Sequence, residues 1–124
     1  MTRDELSAWV EAYELAWRTP GTEALQRLFA DDAVYSPWPF RPSHHGLDAI
    51  RRFWEKGRDG PGEEFTIEWE IVAVDGDVGV VRSEVQYVDP PQVWRNLWVV
   101  RFDGDGRCAE FEEWPIAPPR RRKS

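Results

Sequence analysis

Hydrophobic positions along the chain change their period once, near Glu64, and the change divides the sequence into a helical half and a stranded half. Before it, Leu6, Trp9, Val10, Tyr13 and Trp17 recur every three or four residues behind Thr2 and Glu5, whose spacing is that of a capping box. This predicts an amphipathic first helix, stopped by Pro20-Gly21. Thr22 can cap a second short helix presenting Ala24, Leu25, Leu28 and Phe29 on one face, packed on the first. Asp31-Asp32 reads as a turn from helix to strand, and the apolar stretch Val34-Tyr35 enters SPWPFRPSHHG, whose prolines and glycine predict a long ordered loop. Leu47, Ile50, Phe53 and Trp54 predict a third helix, ended by Gly57 and Gly60.

Beyond Glu64 apolar and polar residues alternate. Phe65, Ile67, Trp69, Ile71 and Ala73 form one face of a long strand, and Asp75-Gly76 turns it into a second, Val78 to Val88. Asp89-Pro90-Pro91 precedes a third strand, Trp94 to Phe102, and Gly104 and Gly106 mark the hairpin into Cys108 to Trp114. Helices followed by an antiparallel meander specify an α+β domain with helices over one sheet face.

Composition narrows this picture. A chain of 124 residues with 41% hydrophobic and 14% aromatic residues is one domain with a real core, which excludes a separate cofactor module and intrinsic disorder. The domain is expected to span residues 1–118, followed by a basic tail at 119–124. With Arg120, Arg121, Arg122 and Lys123 set aside, 12 basic face 23 acidic residues, a net charge of −11 that repels nucleic acid and anionic membranes. One cysteine, Cys108, and two histidines supply neither a disulfide framework nor a zinc site, so no metal is expected. Charges interrupt the N-terminal segment throughout, as in neither a signal peptide nor a membrane span, and a cytoplasmic location is expected.

The order of elements, with LFADDAVY, the HGLDAIRRFW helix start and NLWVVRFDGDGRCAEFEEWP, resembles the nuclear transport factor 2-like superfamily, in particular its SnoaL-like branch. The resemblance covers nearly the whole chain and implies a cone: three N-terminal helices packed in a strongly bent antiparallel sheet, with a cavity at the open mouth. Because such a cone hosts many chemistries, function has to be read from its lining. By comparison with ketosteroid-isomerase-like members, Tyr13 falls where those enzymes keep an oxyanion-stabilising tyrosine, Trp98 where they keep a protonated aspartic acid, and Ser36 or Pro37 near their carboxylate base. An indole and a serine replace neither acid nor base, which argues against steroid isomerisation.

The same alignment, with period-two alternation, implies that Arg82, Glu84, Gln86, Trp94, Asn96, Trp98, Val100, Phe111 and Glu113 face the cavity, and that Val85, Tyr87, Leu97, Val99 and Trp114 face outward. Glu84 and Glu113 would then be a general acid and base or a structural network with Arg82, which could also hold an anionic group of a substrate. Tyr13 is an oxyanion donor or a core ring, and Asn96 orients a carbonyl or completes the network. Of His44 and His45, one at most should face the cavity; His45 is preferred as a candidate base. Trp17, Trp38, Trp54, Trp94 and Trp98, with Phe111, suit a flat apolar or aromatic ligand, whereas Trp9, Trp69 and Trp114 suit packing.

Two functions follow. One is a cofactor-independent enzyme performing acid/base chemistry (cyclase, isomerase, dehydratase or hydrolase type) on an apolar, oxygenated small molecule. The alternative is a non-catalytic small-molecule binder or a dimeric interaction module of the same fold. A homodimer through the outer sheet face around Leu97, Val99 and Trp114 is expected in either case.

Overall fold

The computed structural model describes residues 1–57, 64–88 and 91–118. Helix α1 (Arg3–Arg18) begins with the capping box read from the sequence, Thr2 accepting from the Glu5 N–H while the Glu5 carboxylate accepts from the Thr2 N–H. It buries Leu6, Trp9, Val10, Tyr13 and Ala16. Helix α2 (Leu25–Leu28) is a single turn whose N-cap is Ala24 and not Thr22. The Trp9 indole donates to the Leu28 carbonyl at 3.0 Å and ties the two helices together. The strand β1 (Phe29–Ser36), the two-residue β2 (His44–His45) and the helix α3 (Leu47–Gly57) complete the first half.

Strands β3 (Phe65–Asp75), β4 (Val78–Tyr87), β5 (Gln92–Phe102) and β6 (Cys108–Ile116) form the antiparallel meander expected from period two. The full six-stranded order is β2-β1-β6-β5-β4-β3, with β1 parallel to β6. The sheet is therefore mixed, not wholly antiparallel as expected. Asp31 and Asp32 lie inside β1, where its register with β6 shifts between Phe29 and Val34. A bulge tolerates two exposed carboxylates in mid-strand, which is why they read as a turn.

Helices and one sheet face enclose a core of aromatic and aliphatic side chains, with Leu6, Val10, Leu25, Phe29, Ile50, Trp54, Val81 and Val100 fully buried. Gly76 holds positive φ in the β3–β4 turn, as Asp75-Gly76 suggested. Gly79 serves a different need, since a Cβ there would fall 2.5 Å from the Leu6 Cδ2, so its bare backbone admits α1 onto the sheet. The strand-four register decides what faces the helices. Val81, Ser83 and Val85 lie opposite Trp98, Asn96 and Trp94, and directly opposed residues share a face. The tail at 119–124, Gly60 and the Asp89-Pro90 part of the turn lie outside the described residues.

Candidate active site

A cavity of about 390 Å³ opens where β3 and β5 begin and β4 and β6 end, within the usual range for a small-molecule site of roughly 300–1,000 Å³. Trp17 of α1, Trp38 of the loop after β1, Phe65, Tyr87, Trp94 and Pro115 line its outer part. Tyr13, Tyr35, Asn96, Trp98 and Glu113 line it as well, and between them supply its chemistry.

Glu113 and Trp98 are directly opposed on β6 and β5, so the sheet itself aligns them. The Trp98 indole N–H donates to Glu113 Oε2 at 2.9 Å. Burial raises the Glu113 carboxyl to about 7, and the Trp98 hydrogen bond opposes that rise without cancelling it. The result is a carboxyl poised to give or take a proton near neutral pH. Beside it, the Tyr13 and Tyr35 hydroxyls hydrogen-bond each other at 3.1 Å in a buried setting. Burial and the Glu113 charge push both phenols well above their ordinary value, so both stay protonated. One hydroxyl donates to the other, which leaves one O–H available to a ligand. Asn96 and Ser83, a second cross-strand pair, are buried and bonded Nδ2 to Oγ at 3.3 Å.

The rings behind these groups hold them still. Phe111, only 1% exposed, stacks on Tyr35 (4.8 Å between centroids, 17°) and on Tyr13 (5.5 Å, 12°). Trp54 meets Tyr13 and Trp17 edge-on at 5.2 and 4.9 Å.

Residues 9–111, most of the chain, match the family described as SnoaL-like domain. The chain belongs to that family. A candidate polyketide cyclase from Sinorhizobium meliloti (protein SMa1630) is 30% identical, with a TM-score of 0.65 over 86% of this chain and 93% of that one. A candidate isomerase of the SnoaL-like family from Agrobacterium tumefaciens is 18% identical, with a TM-score of 0.75 over 92% and 99% of the two chains. An NTF2-like protein of unknown function from Mesorhizobium loti is 23% identical, with a TM-score of 0.70 over 92% and 93%. The last two likenesses speak for the fold alone. No curated protein matches the chain.

Within this SnoaL-like chain the structure brings together Tyr13, Trp17, Trp38, Trp94, Asn96, Trp98 and Glu113 from the residues singled out in the sequence. It corrects others. Arg82 and Glu84 lie on the outer face: Arg82 pairs with Glu70 across β3 and β4, and Glu84 pairs with Arg95 at 3.7 Å. Gln86 is exposed with them, and Val85 and Tyr87 face inward instead. The sequence alignment sets the face of β4 one residue out of step with β5, and a single step exchanges every side chain. His45 is exposed opposite Val34, whereas His44 lies opposite the inward Tyr35 and stacks on Phe53 at 4.5 Å, so neither is a base in the cavity. Trp54 and Phe111 do not line the cavity; they are fully or almost fully buried behind the residues that do.

Tyr35, Phe53, Phe65, Ile67, Val85 and Tyr87 line the site, and Ser83 supports it through Asn96, without being apparent as site residues in the sequence. For Tyr35 a signal exists, its alternation with the apolar Ala33 in β1; for Ser83, Val85 and Tyr87 it lies in the β4 register. Since Arg82 is a half-open surface partner, Arg82→Gln should cost no more than about 1 kcal/mol and leave ligand binding unchanged, as calorimetry of the variant would show. Among the described residues no group of three or more His, Cys, Asp or Glu side chains is placed to hold a metal ion, and no helix is long and apolar enough to cross a membrane.

Proposed function

We propose that this protein is a cofactor-independent enzyme that binds a flat, apolar or aromatic oxygenated molecule in the cavity and moves a proton with Glu113. The observation that carries the reading is a carboxyl raised to about 7 inside an aromatic cavity, with the protonated Tyr13–Tyr35 pair beside it. Ionised Glu113 accepts a proton from a C–H beside a carbonyl of the substrate. The electron pair moves onto a carbonyl oxygen, and the free tyrosine hydroxyl donates a hydrogen bond to the oxyanion that forms. Protonated Glu113 then returns the proton elsewhere on the molecule. This cycle is common to cyclisation, isomerisation and dehydration, and it gives Arg82, Glu84 and His45 no part.

A suitable probe is 5-nitrobenzisoxazole, a flat oxygenated ring that a single base opens to a coloured phenolate. The protein should accelerate its opening, with a rate that rises through pH 7 as Glu113 ionises. Glu113→Gln should lower that rate by roughly a hundredfold or more, the ordinary loss for a general base. Equal rates in the two proteins would refute the assignment and leave a binder.

We further propose a homodimer through the outer face of β5 and β6. Leu97 and Trp114 are directly opposed there and stand 37% and 45% exposed, with Val93 and Ile116 nearby on the same strands. Sedimentation should show a dimer at micromolar concentration; a monomer would contradict it.

A further inference from the structure

The inward faces of β4 and β5 run Val81, Ser83, Val85 and Trp94, Asn96, Trp98, so that one polar pair interrupts two apolar rows. Ser83 and Asn96 are directly opposed, 2% and 8% exposed, and joined Asn96 Nδ2 to Ser83 Oγ at 3.3 Å. Val85 with Trp94 and Val81 with Trp98 fill the equivalent places on either side, so packing alone calls for nothing polar between them. A buried amide–hydroxyl pair adds little stability, and an apolar pair of the same shape replaces it at almost no cost. Its use therefore lies in the cavity, which Asn96 lines and Ser83 does not.

An asparagine amide has two N–H donors and an accepting oxygen. The bond to Ser83 takes one N–H and holds the plane of the amide, which leaves the second N–H and the carbonyl oxygen for a ligand. The sheet sets these groups in order. Tyr35 is paired with Phe111, two residues before Glu113 on β6, and Asn96 with Pro115, two residues after it. The Glu113–Trp98 row thus lies between the tyrosine pair and the amide, with the Asn96 row roughly 7 Å further along the strands, toward the mouth. A molecule whose carbonyl oxygen takes the tyrosine hydroxyl, and whose acidic C–H meets Glu113, extends its far side to Asn96.

We propose that Asn96 receives a second oxygen function of the substrate, a hydroxyl or carbonyl across the proton-yielding carbon from the carbonyl that the tyrosine pair holds. Ser83 is the positioning residue that keeps the Asn96 amide turned to receive it. This rests on the reading of the cavity as the active site and narrows its substrate to a molecule oxygenated at both ends. A molecule bare at the Asn96 end is disfavoured, because it leaves desolvated polar groups unpaired in an aromatic wall.

Two flat probes separate the ends: 2-naphthol carries one hydroxyl, and naphthalene-2,6-diol carries two, at opposite ends of the same body. Isothermal titration calorimetry at about pH 6 keeps both probes neutral and Glu113 mostly protonated, so charge does not enter the comparison. The diol should bind at least about tenfold more tightly than 2-naphthol, beyond the roughly twofold that its symmetry supplies. Asn96→Leu should reduce that ratio to the symmetry factor. Ser83→Ala should lose most of it, and Ser83→Thr, which keeps the hydroxyl, should retain it; a merely structural Ser83 would weaken both probes alike and leave the ratio standing. A diol no tighter than 2-naphthol, a ratio that survives Asn96→Leu or Ser83→Ala, or failure of both probes to bind would each overturn the proposal. The first of these is read on the unaltered protein and does not depend on any variant folding. The base chemistry is judged separately, by the opening of 5-nitrobenzisoxazole, so loss of that activity with the ratio intact would strike the base role alone.

Discussion

Glu113→Gln should make the protein more stable at pH 8 and almost unchanged in stability near pH 4.5. The folded state holds this carboxyl near 7 against an ordinary 4.5, so between those values it keeps a proton that the unfolded chain has released. Stability therefore falls as pH rises from about 4.5 to about 7, and above 7 the whole cost of a buried carboxylate is present. That cost is at most about 3 kcal/mol. Glutamine keeps an oxygen to accept from Trp98 Nε1 and removes the charge, so it recovers much of this at pH 8. Thermal unfolding of both proteins across pH 5 to 8 checks it: the gap between their melting temperatures should widen steadily with pH. A variant less stable at pH 8, or a gap independent of pH, would mean that the carboxylate has a partner that stabilises it. A destabilising charge retained at the centre of the proposed active site conforms to the usual opposition between stability and activity.

The second large effect is expected from Phe111→Ala. Phe111 is buried to 1% and stacks on both members of the tyrosine pair, so truncation removes a whole ring from the core and leaves a cavity behind Tyr13 and Tyr35. The loss should be about 3–5 kcal/mol, a large part of the roughly 5–15 kcal/mol that holds a domain of this kind together. Urea unfolding should show it as a lower midpoint with an unchanged slope. Phe111→Leu, which keeps an apolar filler, should restore much of the stability but not the stacked platform, and should therefore still slow the opening of 5-nitrobenzisoxazole. A stable Phe111→Ala protein would place the ring outside the core and contradict the packing described here.

Much of this was legible in the sequence, for reasons that can be named. Local signals are strong where one residue does one job: Thr2 and Glu5 cap α1, Asp75-Gly76 turns β3 into β4, and alternation in β5 and β6 puts Trp98 and Glu113 on one face. What failed was relative register. Alternation within β4 is compatible with either face, because Arg82, Glu84 and Gln86 alternate as regularly as Val81, Ser83, Val85 and Tyr87 do. Only the pairing with β5, set by the number of residues between the strands, decides which set meets the helices. The inward face of β4 carries Ser83 and Tyr87 beside its valines, so polarity alone pointed weakly. His44 and His45 repeat the lesson, since their sides follow from pairing with Tyr35 and Val34 in a strand that the loop composition concealed. Tyr35 becomes visible as a site residue only through its contacts with Tyr13 and Phe111, neither of which is near it in sequence.

The central claim is that Glu113 ionises near neutral pH in this cavity, and carbon-13 NMR of the glutamate side-chain carboxyls tests it most directly. In protein labelled at the glutamate δ-carbon, the resonance missing from Glu113→Gln identifies Glu113. Its chemical shift should move through a single step centred at about pH 7. A step centred at the ordinary 4.5 would mean that the carboxylate is solvated and ionised throughout the working range, and would remove the exchange of a proton near neutral pH on which the account depends.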